Sequence, residues 1–356
     1  MTGVIFERVV KEYGAVTALK SLDLDVEEGE FLTLLGPSGC GKTTTLRLIA
    51  GFIRPTSGNL YLGEEEITHL PPDKRNVGMV FQDYALFPHM TIEDNIGFGL
   101  VERGVDKALI RTRVQELLTL VSLPGVEDRY PSQLSGGQQQ RIAVARAVAY
   151  APKVLLMDEP LGALDLKLRE SMQLELRRIQ QELDITAVYV THDQSEAMNM
   201  SDRIAVMNDG VLEQIGTAEE IYDTPRTKFV ADFIGQINFL PATLVGAENG
   251  WATIDTPGGR TKVASDGALA SEHGLSFAIR PERMGVSMPG DVPAGRESME
   301  GRVTDVRFAG NRMLIHSVVG GDRPVVVEAG RADPCSEVGA RILLTWKPED
   351  AILLVE

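Results

Sequence analysis

The chain has 356 residues, 43% of them hydrophobic and 24% charged, with a net charge of −16 and two cysteines. That length allows two or three domains with sizeable cores, and the acidic balance excludes the basic surfaces that bind nucleic acid or anionic lipid. Cys40 and Cys335 stand far apart with no CxxC or Cys/His spacing, so neither a disulfide framework nor a structural zinc site is expected and a reducing cytosol fits.

Met1-Thr2-Gly3-Val4 lacks the basic-then-apolar pattern of a signal peptide. No apolar stretch approaches the ~18–20 residues of a spanning helix. Any membrane crossing is expected of other chains.

In chain order, Phe31-Leu32-Thr33-Leu34-Leu35 is a short apolar run ended by a glycine-rich turn, which predicts a buried strand. Residues 42–50 follow as a helix stopped by Gly51. Ile110, Val114, Leu117, Leu118 and Val121 share one helical face, as do Leu168, Met172, Leu176, Ile179 and Leu183; both stripes read as core. Val154-Leu155-Leu156-Met157, introduced by Pro152, is a second buried strand. Ala187-Val188-Tyr189-Val190 and Ile204-Ala205-Val206-Met207 are a third and a fourth. Asn208-Asp209-Gly210 then signals a hairpin into Val211-Leu212-Glu213. Strands alternating with helices predict an α/β layered domain.

After about Gln236 the pattern changes to short alternating runs between Gly, Pro, Asn and Asp, at residues 251–254, 277–279, 313–315, 325–327 and 342–344. A small all-β domain, sandwich or barrel, is expected there. Phe277-Ala278-Ile279-Arg280-Pro281-Glu282 is echoed by Leu343-Leu344-Thr345-Trp346-Lys347-Pro348-Glu349. Each is an apolar strand, a basic residue, Pro and Glu, with another apolar run behind it. Two copies of a β unit or a coincidence of two short turns both account for this.

Gly36-Pro37-Ser38-Gly39-Cys40-Gly41-Lys42-Thr43 fits G-x-x-x-x-G-K-[ST] with a strand before and a helix after. Glycines let backbone N–H groups wrap phosphates, Lys42 brings a positive charge to the β and γ groups, and Thr43 offers a hydroxyl to Mg²⁺. Cys40 sits at a free position of the motif. Asp158 and Glu159 end the 154–157 strand, where α/β sheets place working residues. Asp158 suits Mg²⁺ and Glu159 suits orienting the attacking water. His192 follows the third strand in Thr191-His192-Asp193, within reach of a γ-phosphate. Gln82 follows Val80-Phe81 as an amide able to bridge metal or water. Leu134-Ser135-Gly136-Gly137-Gln138, with Gln139-Gln140-Arg141 behind it, reads as a second anion-attracting helix start.

Together these residues resemble the ATP-binding cassette (ABC) family, in the expected order over residues 4–235. The resemblance implies a P-loop NTPase fold: a RecA-like core with a helical subdomain at about residues 85–150 and an antiparallel β subdomain. It makes residues 36–43 the Walker A loop, Gln82 the Q-loop, residues 134–138 the signature and residues 154–159 the Walker B strand. Gly162-Ala163-Leu164-Asp165 becomes the D-loop and His192 the switch histidine. Nucleotide contacts are implied for Tyr13, Gly36, Pro37, Ser38, Gly39, Cys40, Gly41, Lys42, Thr43, Thr44, Gln82, Asp158 and His192. Ser135, Gly136, Gly137 and Gln138 would act across a head-to-tail dimer of two copies. Glu159, His192 and Gln82 are the implied catalytic group, and Thr43, Gln82 and Asp158 the implied Mg²⁺ group. Ile142, Ala145 and Ala149 would pack the helix behind the signature, with Arg146 structural.

Residues 81–92 resemble the solute-importer branch, in which this segment receives a coupling helix of a membrane subunit. Exposed Tyr84, Leu86, Phe87 and Met90 would suit that contact, with core burial a rival for at least two. Residues 236–356 resemble the two-lobed, oligonucleotide-binding-like TOBE module of such importers. The expected protein is an ATP hydrolase on the cytoplasmic face of the cell membrane, with two permease subunits, a solute-binding protein and no nucleic acid. The turns at 280–282 and 346–350 lean toward spermidine/putrescine import, with ferric-iron or sugar import as the alternative. A soluble translation or repair protein, or a chiefly regulatory binder, is the alternative from another class.

Overall fold

The apolar run at residues 31–35 lies at the heart of a six-stranded sheet in the computed structural model, which describes residues 2–162, 164–265, 274–331 and 337–355. Ala163 of the D-loop segment and Cys335 lie outside these residues. The chain divides into two compact units, Met1–Ile221 and Tyr222–Glu356.

In the first unit the strands run in the order Val211–Gly216, Arg203–Asn208, Phe31–Leu35, Thr186–Thr191, Val154–Asp158, Val77–Val80. All neighbours are parallel except the first pair, the predicted hairpin. Its turn residues Asp209 and Gly210 have φ of 44° and 77°, the left-handed pair that matches strand twist. Alternate side chains serve two cores, as a period of two requires. Phe31, Leu155, Met157, Ala187 and Tyr189 face one, and Leu32, Leu34, Leu156, Val188, Val190 and Met207 the other. Each buried Val, Leu, Phe or Met among these contributes roughly 1.5–3 kcal/mol relative to exposure.

The second of these cores is closed by the helix Lys42–Ala50 and an antiparallel sheet of Thr2–Tyr13, Val16–Glu27, Ser57–Leu62 and Glu65–Glu66. The first is closed by helices Ile92–Glu102, Lys107–Leu120, Gly136–Val148 and Leu166–Leu183. Each of these four begins with a side-chain cap, Thr91, Asp106, Ser135 and Asp165 respectively, which satisfies N–H groups that a helix start leaves unpaired.

The second unit resolves the echo in favour of duplication. Its first half holds strands Asn238–Glu248, Trp251–Thr256, Gly259–Ala264 and Leu275–Ile279, a turn at Pro281–Arg283, then Gly285–Ser287. Its second half repeats the order with Glu297–Ala309, Arg312–Val319, Arg323–Gly330 and Arg341–Trp346, a turn at Pro348–Asp350, then Ala351–Val355. The last strand of each half crosses to the other: Ala351–Val355 pairs with Leu275–Ile279, and Gly285–Ser287 with Arg341–Trp346. Two five-stranded sheets result, sharing a core in which Phe277 meets Trp346 edge-on at 5.5 Å. Arg280, the basic residue of the first turn, donates to the carbonyls of Tyr222, Ala231, Ile234 and Gln236 and stacks on the Tyr222 ring at 4.0 Å. It fastens the helical lead-in to the β-sheets.

Candidate functional site

Four parallel strands of the first unit finish on the same edge of the sheet, where an α/β fold places its ligands. Each hands over to a predicted site residue. Phe31–Leu35 leads into residues 36–41 and the helix Lys42–Ala50, and Val77–Val80 leads to Gln82. Val154–Asp158 ends at Asp158 and Glu159, and Thr186–Thr191 leads to His192.

The glycine loop is shaped for backbone approach. A Cβ on Gly36 would lie 2.2 Å from the Met207 carbonyl oxygen, and Gly41 holds a φ of 109°, so side chains are excluded at both positions. Pro37 is half-buried, Ser38 and Gly39 are exposed, and Thr43 and Thr44 are half-buried at the helix start. Lys42 is 5% exposed. Its ammonium donates to the Gly36 and Pro37 carbonyls at 2.6 and 2.9 Å, and Cys40 Sγ lies 3.8 Å away. The loop's only side-chain cation is thus held on backbone carbonyls that phosphate oxygens could replace as acceptors. Burial pushes the Cys40 thiol up despite Lys42, which keeps it unreactive.

Thr43 donates to Asp158 at 3.2 Å. Burial raises the Asp158 carboxyl above its usual range; the Thr43 hydroxyl opposes this and the neighbouring charge of Glu159 adds to it. A cation between these oxygens would relieve that cost. The donor set fits Mg²⁺, which takes one or two protein oxygens and fills its octahedron with phosphate and water.

Glu159 has a φ of 45°, unusual for a residue with a side chain and characteristic of working positions. Its N–H donates to Val190 O at 3.0 Å and its carbonyl accepts from Gly162 at 3.2 Å. His192 Nδ1 lies 3.1 Å from Glu159 Oε2. A carboxylate only accepts, so the imidazole carries its proton on Nδ1 in this contact.

Gln82 and Tyr13 are exposed on the same unit, Tyr13 with Lys11 Nζ 4.8 Å from its ring centre. Ser135 and Gly136 are exposed, and Gln138 returns its side chain to the Ser135 N–H at 3.0 Å in a capping box. The neighbours of Gly136 and Gly137 are Leu164 and Leu168, beyond Glu159 in the chain. The chain thus brings together Lys42, Thr43 and Asp158, and Glu159 with His192, while the signature is a separate helix start. Of the segment after Gln82, Tyr84 and Leu86 take the core alternative, Tyr84 at 8% exposure with Leu86 packed against the same core, while Phe87 and Met90 are half-buried rather than exposed.

One group escaped the sequence. Arg169 donates to Asp193 and to Leu164 O, both at 3.1 Å, and lies 3.8 Å from Glu196. Glu196 is buried and accepts from Tyr189 at 2.7 Å and Thr191 at 2.6 Å. With Glu159, Gly162 and His192, the residues Arg169, Thr191, Asp193 and Glu196 line a cavity of about 40 Å³. The only signal was a charged residue beside the apolar stripe of Leu168 and Met172, which reads equally as a solvated face.

Fold and site define a P-loop nucleotide hydrolase of the cassette type. The sequence profile of the ABC transporter family matches residues 19–162, and that of the TOBE domain residues 277–354. The spermidine/putrescine import ATP-binding protein PotA of Thermobifida fusca is 49% identical over 98% of this chain and 92% of its own length. Its namesake from Acidothermus cellulolyticus is 48% identical over 99% and 94%. A bacterial ABC transporter cassette solved as a dimer superposes with a TM-score of 0.54 at 34% identity, over 60% of this chain and 98% of that one. The same cassette has been solved with ADP and Pi after hydrolysis. The chain belongs to the ATP-hydrolysing subunits of ABC transporters, with a C-terminal TOBE domain. No helix among the described residues is long and apolar enough to cross a membrane.

Proposed function

We propose that this chain powers the import of polyamines of the spermidine/putrescine class from the cytoplasmic face of the membrane. The observation that carries the reading is the convergence of Lys42, Thr43–Asp158 and Glu159–His192 on one sheet edge. The polyamine assignment rests on likeness to the two import proteins over nearly the whole chain.

In this reading Tyr13 stacks on adenine, the loop amides with Lys42 hold the β and γ phosphates, and Thr44 closes the phosphate cradle. Thr43, Asp158 and Gln82 hold Mg²⁺, which when bound neutralises charge on the phosphates. Glu159 accepts the proton of the attacking water and orients it, and His192 holds the γ-phosphate oxygens from the neighbouring strand. Ser135, Gly136, Gly137 and Gln138 of a second copy close the site, adding N–H donors only when the two subunits meet. Closure acts on two permease subunits through residues 82–92, and a solute-binding protein delivers the solute to the permease. Residues 1–235 form the ATPase and residues 236–356 the TOBE domain.

Vesicles carrying the chain with its co-encoded membrane subunits and binding protein test this. ATP-dependent uptake of labelled spermidine or putrescine is the expected result. Uptake of ferric iron or a sugar with none of polyamine overturns the solute assignment, and ATP hydrolysis without uptake of any solute overturns the importer reading.

A further inference from the structure

Arg146 lies ten residues beyond Gly136, in the last turn of the helix Gly136–Val148 that opens with the signature. Its guanidinium reaches out of that helix to the segment after the Q-loop. It donates to Tyr84 O at 2.9 Å and to Ala85 O at 2.7 Å, and stands 5.5 Å from the ring centre of Phe87.

The two carbonyls belong to consecutive residues in the left-handed region, Tyr84 at φ 61° and Ala85 at φ 46°. Residues with side chains hold such a conformation only where their surroundings impose it. Arg146 is what grips this turn from the signature side. From the other side, Asn95, fully buried in the helix Ile92–Glu102, accepts from Phe87 N–H at 2.8 Å. Its amide donates to the carbonyls of Phe87, Met90 and Thr91. Phe87 also packs on Phe98 at 4.7 Å. Residues 84–91 are therefore tied by side-chain hydrogen bonds to the two helices, with the Tyr84 ring packed in the core that those helices share with the sheet.

We infer that Arg146 is the positioning residue that makes residues 84–90 move as one body with the signature helix, so that closure on ATP is felt at the membrane-facing segment. This rests on the reading that residues 82–92 receive the membrane subunits. A planar fork gripping two adjacent carbonyls transmits both displacement and rotation. A lysine ammonium in its place offers a single charge on a flexible stem and leaves one carbonyl unpaired.

The test uses the full chain assembled with its membrane subunits in vesicles, comparing the native chain with Arg146→Lys and Arg146→Gln. Uptake and ATP hydrolysis are measured in the same preparation, and a photo-crosslinking residue replaces the exposed His89 to report docking. We expect uptake per ATP hydrolysed to fall about tenfold or more in both variants, with hydrolysis within about threefold of native and crosslinking to the membrane subunit preserved. Arg146→Lys keeps the charge and stem, so it decides the matter if Arg146→Gln does not fold. Unchanged uptake per ATP in a folded variant that still crosslinks overturns the inference. Hydrolysis and uptake falling in proportion also overturns it, because that is the mark of a merely structural residue. If the native arginine background gives no crosslink from position 89, the docking reading itself fails and the inference with it.

Discussion

His192 and Glu159 stand 33 positions apart in the chain yet meet at 3.1 Å, because each follows one of two adjacent parallel strands. The imidazole side chain is 62% exposed and that of the glutamate 24%. The imidazole is thus the more accessible partner, and the left-handed backbone of Glu159 sets the direction in which its side chain leaves the strand end.

Glu159→Gln keeps the shape of the side chain and removes its basicity. ATP binding is expected to persist and steady-state hydrolysis to fall by ~10²–10⁴-fold, the usual worth of a positioned base. A dimer trapped with ATP should be visible by size-exclusion chromatography. Hydrolysis at the native rate rules out the role given to Glu159.

Ser135→Arg places a bulky cation at the exposed cap of the signature helix. Turnover should be lost while nucleotide binding by the isolated monomer, measured by calorimetry, stays within about threefold of native, since the phosphate loop of the same chain is separate. Loss of monomer binding would mean that Ser135 contacts nucleotide in its own subunit.

Asp202 accepts from the Phe31 N–H at 2.8 Å and pairs with Arg177. Burial pushes its carboxyl up, but Arg177 and the Phe31 N–H outweigh that and hold it below the usual range. A depressed carboxyl stabilises the fold above its unfolded value of about 3.9 and loses that contribution as pH falls through its folded value. Asp202→Asn should therefore lower the melting temperature at pH 7, with the difference from native shrinking below about pH 4. A gap independent of pH would show that shape rather than charge matters at this position.

Trp346 is fully buried, and its indole N–H has no hydrogen-bond partner among the described residues. Trp346→Phe removes that unpaired donor along with some volume and should cost less than about 1.5 kcal/mol. Trp346→Ala should cost ~3–5 kcal/mol in urea unfolding followed by circular dichroism. Equal losses for the two variants would contradict this account of the core.

The central sheet was legible because its strands are buried on both faces and so read as unbroken apolar runs such as 154–157 and 187–190. Thr2–Tyr13 and Val16–Glu27 carry no clear strand signal in their residues. Register shifts along their pairing, with Arg8 and Ser21 at positive φ, break the period of two by which a half-exposed strand is recognised. The strand–loop–helix setting of residues 36–43 was legible because the glycine loop is a contiguous motif. Arg169 was not, since its partners Asp193 and Glu196 are distant in sequence; for Tyr84 the sequence left exposure and core burial both open, and packing in the core that holds Phe31 and Val80 decides for burial.

The exchange of final strands in the second unit sets an order on the birth of the protein. Leu275–Ile279 finds its outer neighbour only when Ala351–Val355 has left the ribosome, so its sheet waits with an open edge for more than seventy residues of synthesis. The parallel sheet of the first unit has all its strands by Gly216. A nascent chain stalled short of residue 351 would carry an ATPase with its sheet complete beside a β-module whose edge invites pairing with a neighbouring polysome product.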